Sequence, residues 1–198
     1  HPAGDQALAT QGEDTHMKLT TRLLTLGTLV LVLGACSSGD ISETDSGGVL
    51  LSVSNFDGLP GFVSVSASGG VATIGSLTVQ NIAKNPSTGT SSLMNVEVQS
   101  FEFTYTRDDA GTRVPPKLIE YAFGVVPVNG TFNYANQQFL RPAQFEAQPL
   151  KDLADFGRDT ETNSTVVRMR VTIRVFGRTL SGDTVASTPV SFSVDVVP

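Results

Sequence analysis

Residues 165–176 read Thr-Val-Val-Arg-Met-Arg-Val-Thr-Ile-Arg-Val-Phe, and their alternation decides the fold class. Val167, Met169, Val171, Ile173 and Val175 fall on one parity, with Arg168, Arg170, Thr172 and Arg174 on the other. A period of two, with branched apolar residues on one side and charge on the other, describes a strand that buries one face and wets its opposite. A helix would scatter the same apolar residues around its circumference.

The same period recurs on both sides of this segment. Downstream, after a loop at 177–183, Val190, Phe192, Val194 and Val196 alternate with polar residues, and Pro189 sets the start of that strand at an edge or bulge. Upstream, 118–126 and 130–140 read as strands separated by 127–129. Between Leu93 and Thr106 the phase slips: Met94, Val96 and Val98 share one parity, Phe101, Phe103 and Tyr105 the other. A β-bulge near Gln99-Ser100, or a strand bending from one sheet to another, produces such a slip. Earlier still, Val49, Leu51 and Val53 form one alternating set, Val63, Val65 and Ala67 a second, and a third strand spans 71–82. Asp57-Gly58 and Gly69-Gly70 supply turns. Only 142–156 has the spacing for a helical turn, with Pro149 suited to a first helical position.

Seven to nine short strands joined by Gly, Pro and Asn turns predict an all-β domain over residues 49–198, an antiparallel two-sheet sandwich, with a small β-barrel as the alternative. In general plan this resembles immunoglobulin-like sandwiches, although the Cys…Trp…Cys signature is missing and the chain has no tryptophan. About 150 residues suffice for a core that needs neither disulfide nor structural metal.

The N-terminal quarter has a different character. From Met17 the sequence runs MKLTTRLLTLGTLVLVLGAC: Lys18 and Arg22, then an apolar run over 23–33, then the small residues Gly34-Ala35 before Cys36. That layout is an export signal. A run of eleven residues makes about 17 Å of helix, well short of the ~30 Å core that a membrane span must cross. The tetrapeptide Leu33-Gly34-Ala35-Cys36 resembles the lipobox of bacterial lipoproteins. The resemblance implies that 17–35 is a cleaved signal peptide and that Cys36, the chain's single cysteine, carries a diacylglyceryl group. It further implies an envelope location, in the outer membrane if the source is Gram-negative, since Ser37 follows the cysteine. Residues 1–16 are expected to be a translated segment upstream of the true start. Residues 36–48, CSSGDISETDSGG, read as a flexible tether with a reach of about 20 Å.

Composition removes several chemistries from the domain. Both histidines, His1 and His16, precede Met17, and the only thiol is assigned to the lipid, so no imidazole or free thiol remains for nucleophilic catalysis or zinc. Without residues 1–35 the chain holds 11 basic and 16 acidic residues, a net charge of −5, which argues against nucleic acid as a partner. No cofactor motif is present. Two groups remain as candidates. Asp152, Asp155, Asp159 and Glu161 place oxygen ligands in one inter-strand region where calcium is conceivable, although the Asp-x-Asp-x-Asp-Gly spacing is missing. Arg168, Arg170 and Arg174 form a basic stripe that offers a binding face, or more plainly pairs with acids such as Glu97 and Glu102 across neighbouring strands. Asp108-Asp109 adds a carboxylate pair in a turn. The eleven phenylalanines, against three tyrosines, are expected in the core.

These readings lead to a non-enzymatic, lipid-anchored envelope module with a protein partner, acting through an exposed sheet edge. A calcium-assisted binding module is the alternative, and a carboxylate-based glycan hydrolase the second alternative.

Overall fold

A computed structural model of the chain describes residues 48–198. The signal segment at 17–35, Cys36 and residues 36–47 of the tether lie outside the described residues. Within them the alternation seen in the sequence becomes nine strands: β1 (Val49–Asp57), β2 (Phe62–Ser64), β3 (Ala72–Ala83), β4 (Val96–Arg107), β5 (Leu118–Val126), β6 (Gly130–Leu140), β7 (Val167–Thr179), β8 (Thr184–Ala186) and β9 (Val190–Val197). Two short helices, α1 (Pro142–Phe145) and α2 (Leu150–Phe156), occupy the region where a helical turn is expected. Pro149 stands just before α2, after a cis Gln148–Pro149 bond, rather than in its first turn.

The protein is all-β, and its strands form two sheets packed against each other. One has the order β1-β3-β6; the other has the order β2-β9-β7-β4-β5, with β8 paired to β7. Strand β7 lies in the middle of the larger sheet. Its residues Val167, Met169, Val171, Ile173 and Val175 are fully buried, as their parity requires. The phase slip in β4 is a bulge: register breaks between Val98 and Ser100 against both neighbours, β5 and β7. The extra residue lets Val96 and Val98 before it, and Phe101, Phe103 and Tyr105 after it, all point inward and be buried.

One pairing departs from the antiparallel expectation, because β2 runs parallel to β9, with Phe62 opposite Asp195 and Ser64 opposite Val197. Parallel neighbours need a long connection, and here nearly the whole domain separates the two strands. The sequence gives no local sign of a pairing between segments that far apart. Strand β2 is also shorter than the alternation Val63, Val65, Ala67 predicts, since the chain turns after Ser64.

Aromatic contacts join the sheets across the core. Phe101 of the larger sheet meets Tyr134 of the smaller edge-on at 5.0 Å, and Phe139 meets Phe192 edge-on at 5.2 Å. The Tyr105 hydroxyl donates to the Phe139 carbonyl at 2.5 Å. Each fully buried large side chain contributes about 1.5–3 kcal/mol of transfer free energy, so this layer is the main source of stability. A buried asparagine closes one end: Asn81 donates through Nδ2 to the carbonyls of Met94 at 3.0 Å and Val126 at 3.1 Å. At that same end Gly48 leads into β1, and its carbonyl accepts from the Lys84 amide at 3.0 Å.

Candidate functional site

The four carboxylates nominated as a cation site are each committed to neighbouring donors. Asp159, fully buried, takes the Arg107 guanidinium at 2.9 Å, the Thr162 hydroxyl at 2.7 Å and the Glu161 amide at 3.1 Å. Burial alone raises its pKa, but these hydrogen bonds and the Arg107 charge outweigh it, and the net shift is downward. Asp152 accepts from the Thr160 hydroxyl and from Gln148, with Arg113 3.6 Å away. Glu161 points instead at the loop after β4, accepting from the amides of Thr112 at 2.9 Å and Arg113 at 3.0 Å. Asp155 pairs with Lys151 one helical turn away, at 3.0 Å. The acids thus tie two loops together rather than converge. Among the described residues no three His, Cys, Asp or Glu side chains form a group able to hold a metal ion.

The arginine stripe divides in the same way. Arg168 forms a two-point pair with Asp195, its register partner on β9, at 2.7 and 2.9 Å, and Arg170 meets Asp108 at 3.1 Å. Arg174 lies 5.5 Å above the Phe176 ring. The cross-strand pairing of the plain account is present, but with other acids than those expected: Glu102 stands opposite Arg174 yet binds Lys117 at 2.9 Å, and Glu97 stands opposite Arg178. A polar hollow of about 420 Å³ lies against this stripe, lined by Gly61, Asp108, Arg168, Ser193 and Asp195. Ser193 donates to Asp108 at 2.7 Å, so both carboxylates in the hollow are held by neighbours. Asp195 is kept below the usual carboxylate range, first by its bond from Arg168. A glycosidase needs one carboxyl held protonated, and this arrangement does the reverse for Asp195.

What stands out on the surface is apolar. On β5 the residues Ile119, Tyr121, Phe123 and Val125 all face outward, with Tyr121 78% and Phe123 83% exposed. β5 is the last strand of its sheet, so this row lies along an edge. Its inward parity carries Leu118, Glu120, Ala122, Gly124 and Val126, smaller residues for the most part. Strand β6 explains the inversion. A Cβ on Gly124 would come within 2.7 Å of the Tyr134 hydroxyl and 3.0 Å of the Phe132 ring, so the inner face of β5 must stay flat where β6 crosses it. Bulk then has room only on the outer side.

The same seam contains buried polar atoms without protein partners: Glu120 Oε2, Tyr134 Oη and Gln137 Oε1. Burial pushes Glu120 above its ordinary range despite Arg141 at 3.2 Å, and pushes the Tyr134 hydroxyl up to about 12. The expectation that phenylalanine means core therefore holds for Phe101, Phe103 and Phe139 but not for Phe62, Phe123 and Phe156, which are exposed. The signal was available in part. Both parities of 118–126 carry apolar residues, so alternation alone leaves the inward face undecided, and the glycine at 124 marks the side of close approach.

Among the described residues no helix is long and apolar enough to cross a membrane. No family model, no curated protein and no solved structure matches this chain.

Proposed function

We propose that the protein is a lipid-anchored envelope component whose domain is a non-enzymatic interaction module, offering the outer face of β5 to a protein partner. The lipobox-like Leu33-Gly34-Ala35-Cys36 supports the anchor. The observation that carries the interaction reading is the row Ile119, Tyr121, Phe123 and Val125, four large apolar side chains left in water along one sheet edge. Aromatic residues with an apolar body dominate the energetics of protein contacts, and Tyr121 adds a hydroxyl for orientation. By contrast, Asp108, Asp109, Asp159 and Asp195 are held in ion pairs with Arg107, Arg168 and Arg170. On this reading the two sheets follow an immunoglobulin-like sandwich plan, with β5 as its recognition edge.

The anchor is tested by the mass of the N-terminal peptide from protein isolated from its native membrane, expected to begin at Cys36 with acyl chains attached; an unmodified thiol rejects it. The surface is tested by in-membrane crosslinking with reactive groups placed beside β5. Adducts formed by the wild type are expected to disappear in Tyr121→Ser and Phe123→Ser and to persist in Phe62→Ser, an exposed aromatic on β2. Adducts equally strong in all three variants reject β5 as the contact.

A further inference from the structure

The end of the domain at which residue 48 leads into β1 has a surface unlike the rest. Leu50 on β1 and Ile82 on β3 are register partners, and both are exposed. Leu93, 55% exposed, and Leu180, 49% exposed, belong to two separate loops joined by backbone bonds: the Ser181 amide to the Leu93 carbonyl at 3.0 Å, and the Leu180 amide to the Asn95 carbonyl at 2.9 Å. Gly48 lies against Met94, and Asn81 ties Met94 to Val126, so these leucines ring the point where the chain enters the domain. Val125, next to the Val126 carbonyl that Asn81 binds, is exposed at the same end. Singly exposed hydrophobics are ordinary, but a ring of them supplied by several segments is a contact surface.

The opposite end has the contrary character. There β7 begins, and Asp108, Asp109, Asp152, Asp159, Glu161 and Asp195 gather with their arginine partners. At the leucine-ringed end the charged groups are few and of both signs: Lys84 and Arg178, Glu97 and Asp183. The domain is therefore polarised along its strands, rich in ion pairs at one end and apolar at the other, and the chain leading back to Cys36 leaves from the apolar end.

We propose that this end rests on the membrane surface, with Leu93 and Leu180 reaching past the lipid headgroups to the acyl boundary. The proposal rests on the anchored reading above and goes further, since attachment through Cys36 does not by itself choose an orientation for the domain. Apolar side chains at the tethered end are what select one. Docked in this way, the domain stands with its strands raised from the bilayer and its ion-paired end in water. The β5 row then climbs away from the surface, about 20 Å from Val125 to Ile119.

Two features of the chain make the test clean: it has no tryptophan and one cysteine. The full chain is coupled through Cys36 to vesicles of phosphatidylethanolamine and phosphatidylglycerol containing a maleimide-bearing lipid, with and without lipids brominated in their acyl chains. Leu93→Trp and Leu180→Trp report the near end, and Phe62→Trp the far end; all three positions are exposed, and residues 1–47 are common to every variant. Emission from positions 93 and 180 is expected to shift to the blue and to drop about twofold with brominated lipid, while position 62 is unaffected. Equal quenching at all three positions, or none at 93 and 180, overturns the proposal. A blue shift that grows with protein density and ignores bromine also overturns it, because a second copy then covers the surface. Coupling through maleimide makes this outcome independent of natural lipidation, so a failed anchor shows only in the mass measurement and a failed orientation only in the quenching.

Discussion

Arg107 sits with its side chain almost wholly buried between Asp109 at 2.6 Å and Asp159 at 2.9 Å, and one more of its nitrogens donates to the Arg113 carbonyl at 3.3 Å. Removing one partner strands the other charge, and the cost of that is large. Asp159→Ala is expected to destabilise the domain by about 3–5 kcal/mol, read as a lowered denaturant midpoint at unchanged slope. A loss under about 1 kcal/mol would show that water reaches the guanidinium. The pH response follows from the sign of each shift. Asp109 and Asp159 both have pKa values lowered below 3.8 on folding, so each adds stability above that value and withdraws it as pH falls through the folded pKa. Glu120 behaves oppositely, because its folded pKa lies above 4.5. As pH rises past 4.5 the unfolded chain releases that proton first, and stability falls until the folded pKa is passed. Glu120→Gln is therefore expected to raise the melting temperature relative to wild type at pH 7 and to leave it unchanged at pH 3. The same advantage at both pH values would assign the effect to packing instead of charge.

At the level of elements, the bulge in β4 is matched by a glycine on its neighbour. A Cβ on Gly177 would stand 2.6 Å from the Glu97 carbonyl oxygen and 2.8 Å from Val96, and backbone cannot yield as a side-chain tip does. Gly177→Ala is expected to cost about 1–3 kcal/mol, measured by chemical denaturation, although alanine suits a strand better than glycine does. A neutral result would mean that β4 slides in register at no cost. This neighbourhood also shows what was legible in the sequence. The alternation of β7 and the phase slip of β4 are local patterns, and the structure has both. The bounds of β5 and β6 are as expected for the same reason. What depends on the partner across a gap was not legible: the inward face of β5, which β6 decides through Tyr134 and Phe132, and the parallel pairing of β2 with β9. The arginine stripe was legible as a wet face, but its partners Asp195 and Asp108 lie on another strand and in a loop, where spacing along β7 says nothing.

For the whole molecule, the exposed apolar side chains bear on association rather than on stability. Tyr121→Ser and Phe123→Ser are expected to leave the unfolding free energy within about 0.5 kcal/mol of wild type, since both rings already stand in water. A loss above 2 kcal/mol in either would show that the row packs on the domain itself. On the proposed anchored reading, Cys36→Ser is expected to move the protein from the membrane fraction to the soluble one after lysis, with the domain's melting temperature unchanged. Retention in the membrane would point to a second attachment.

The place of β9 between β2 and β7 joins the two distant parts of the domain's chain. Strand β2 stands near the start of the domain, yet among the described residues its only sheet neighbour is β9, and the Ser64 hydroxyl donates to the Pro198 carbonyl. Taking residues 190–197 away removes the one link between β2 and the rest of its sheet and bares the β7 edge along 167–173, so truncation at Pro189 is expected to unfold the domain rather than trim it.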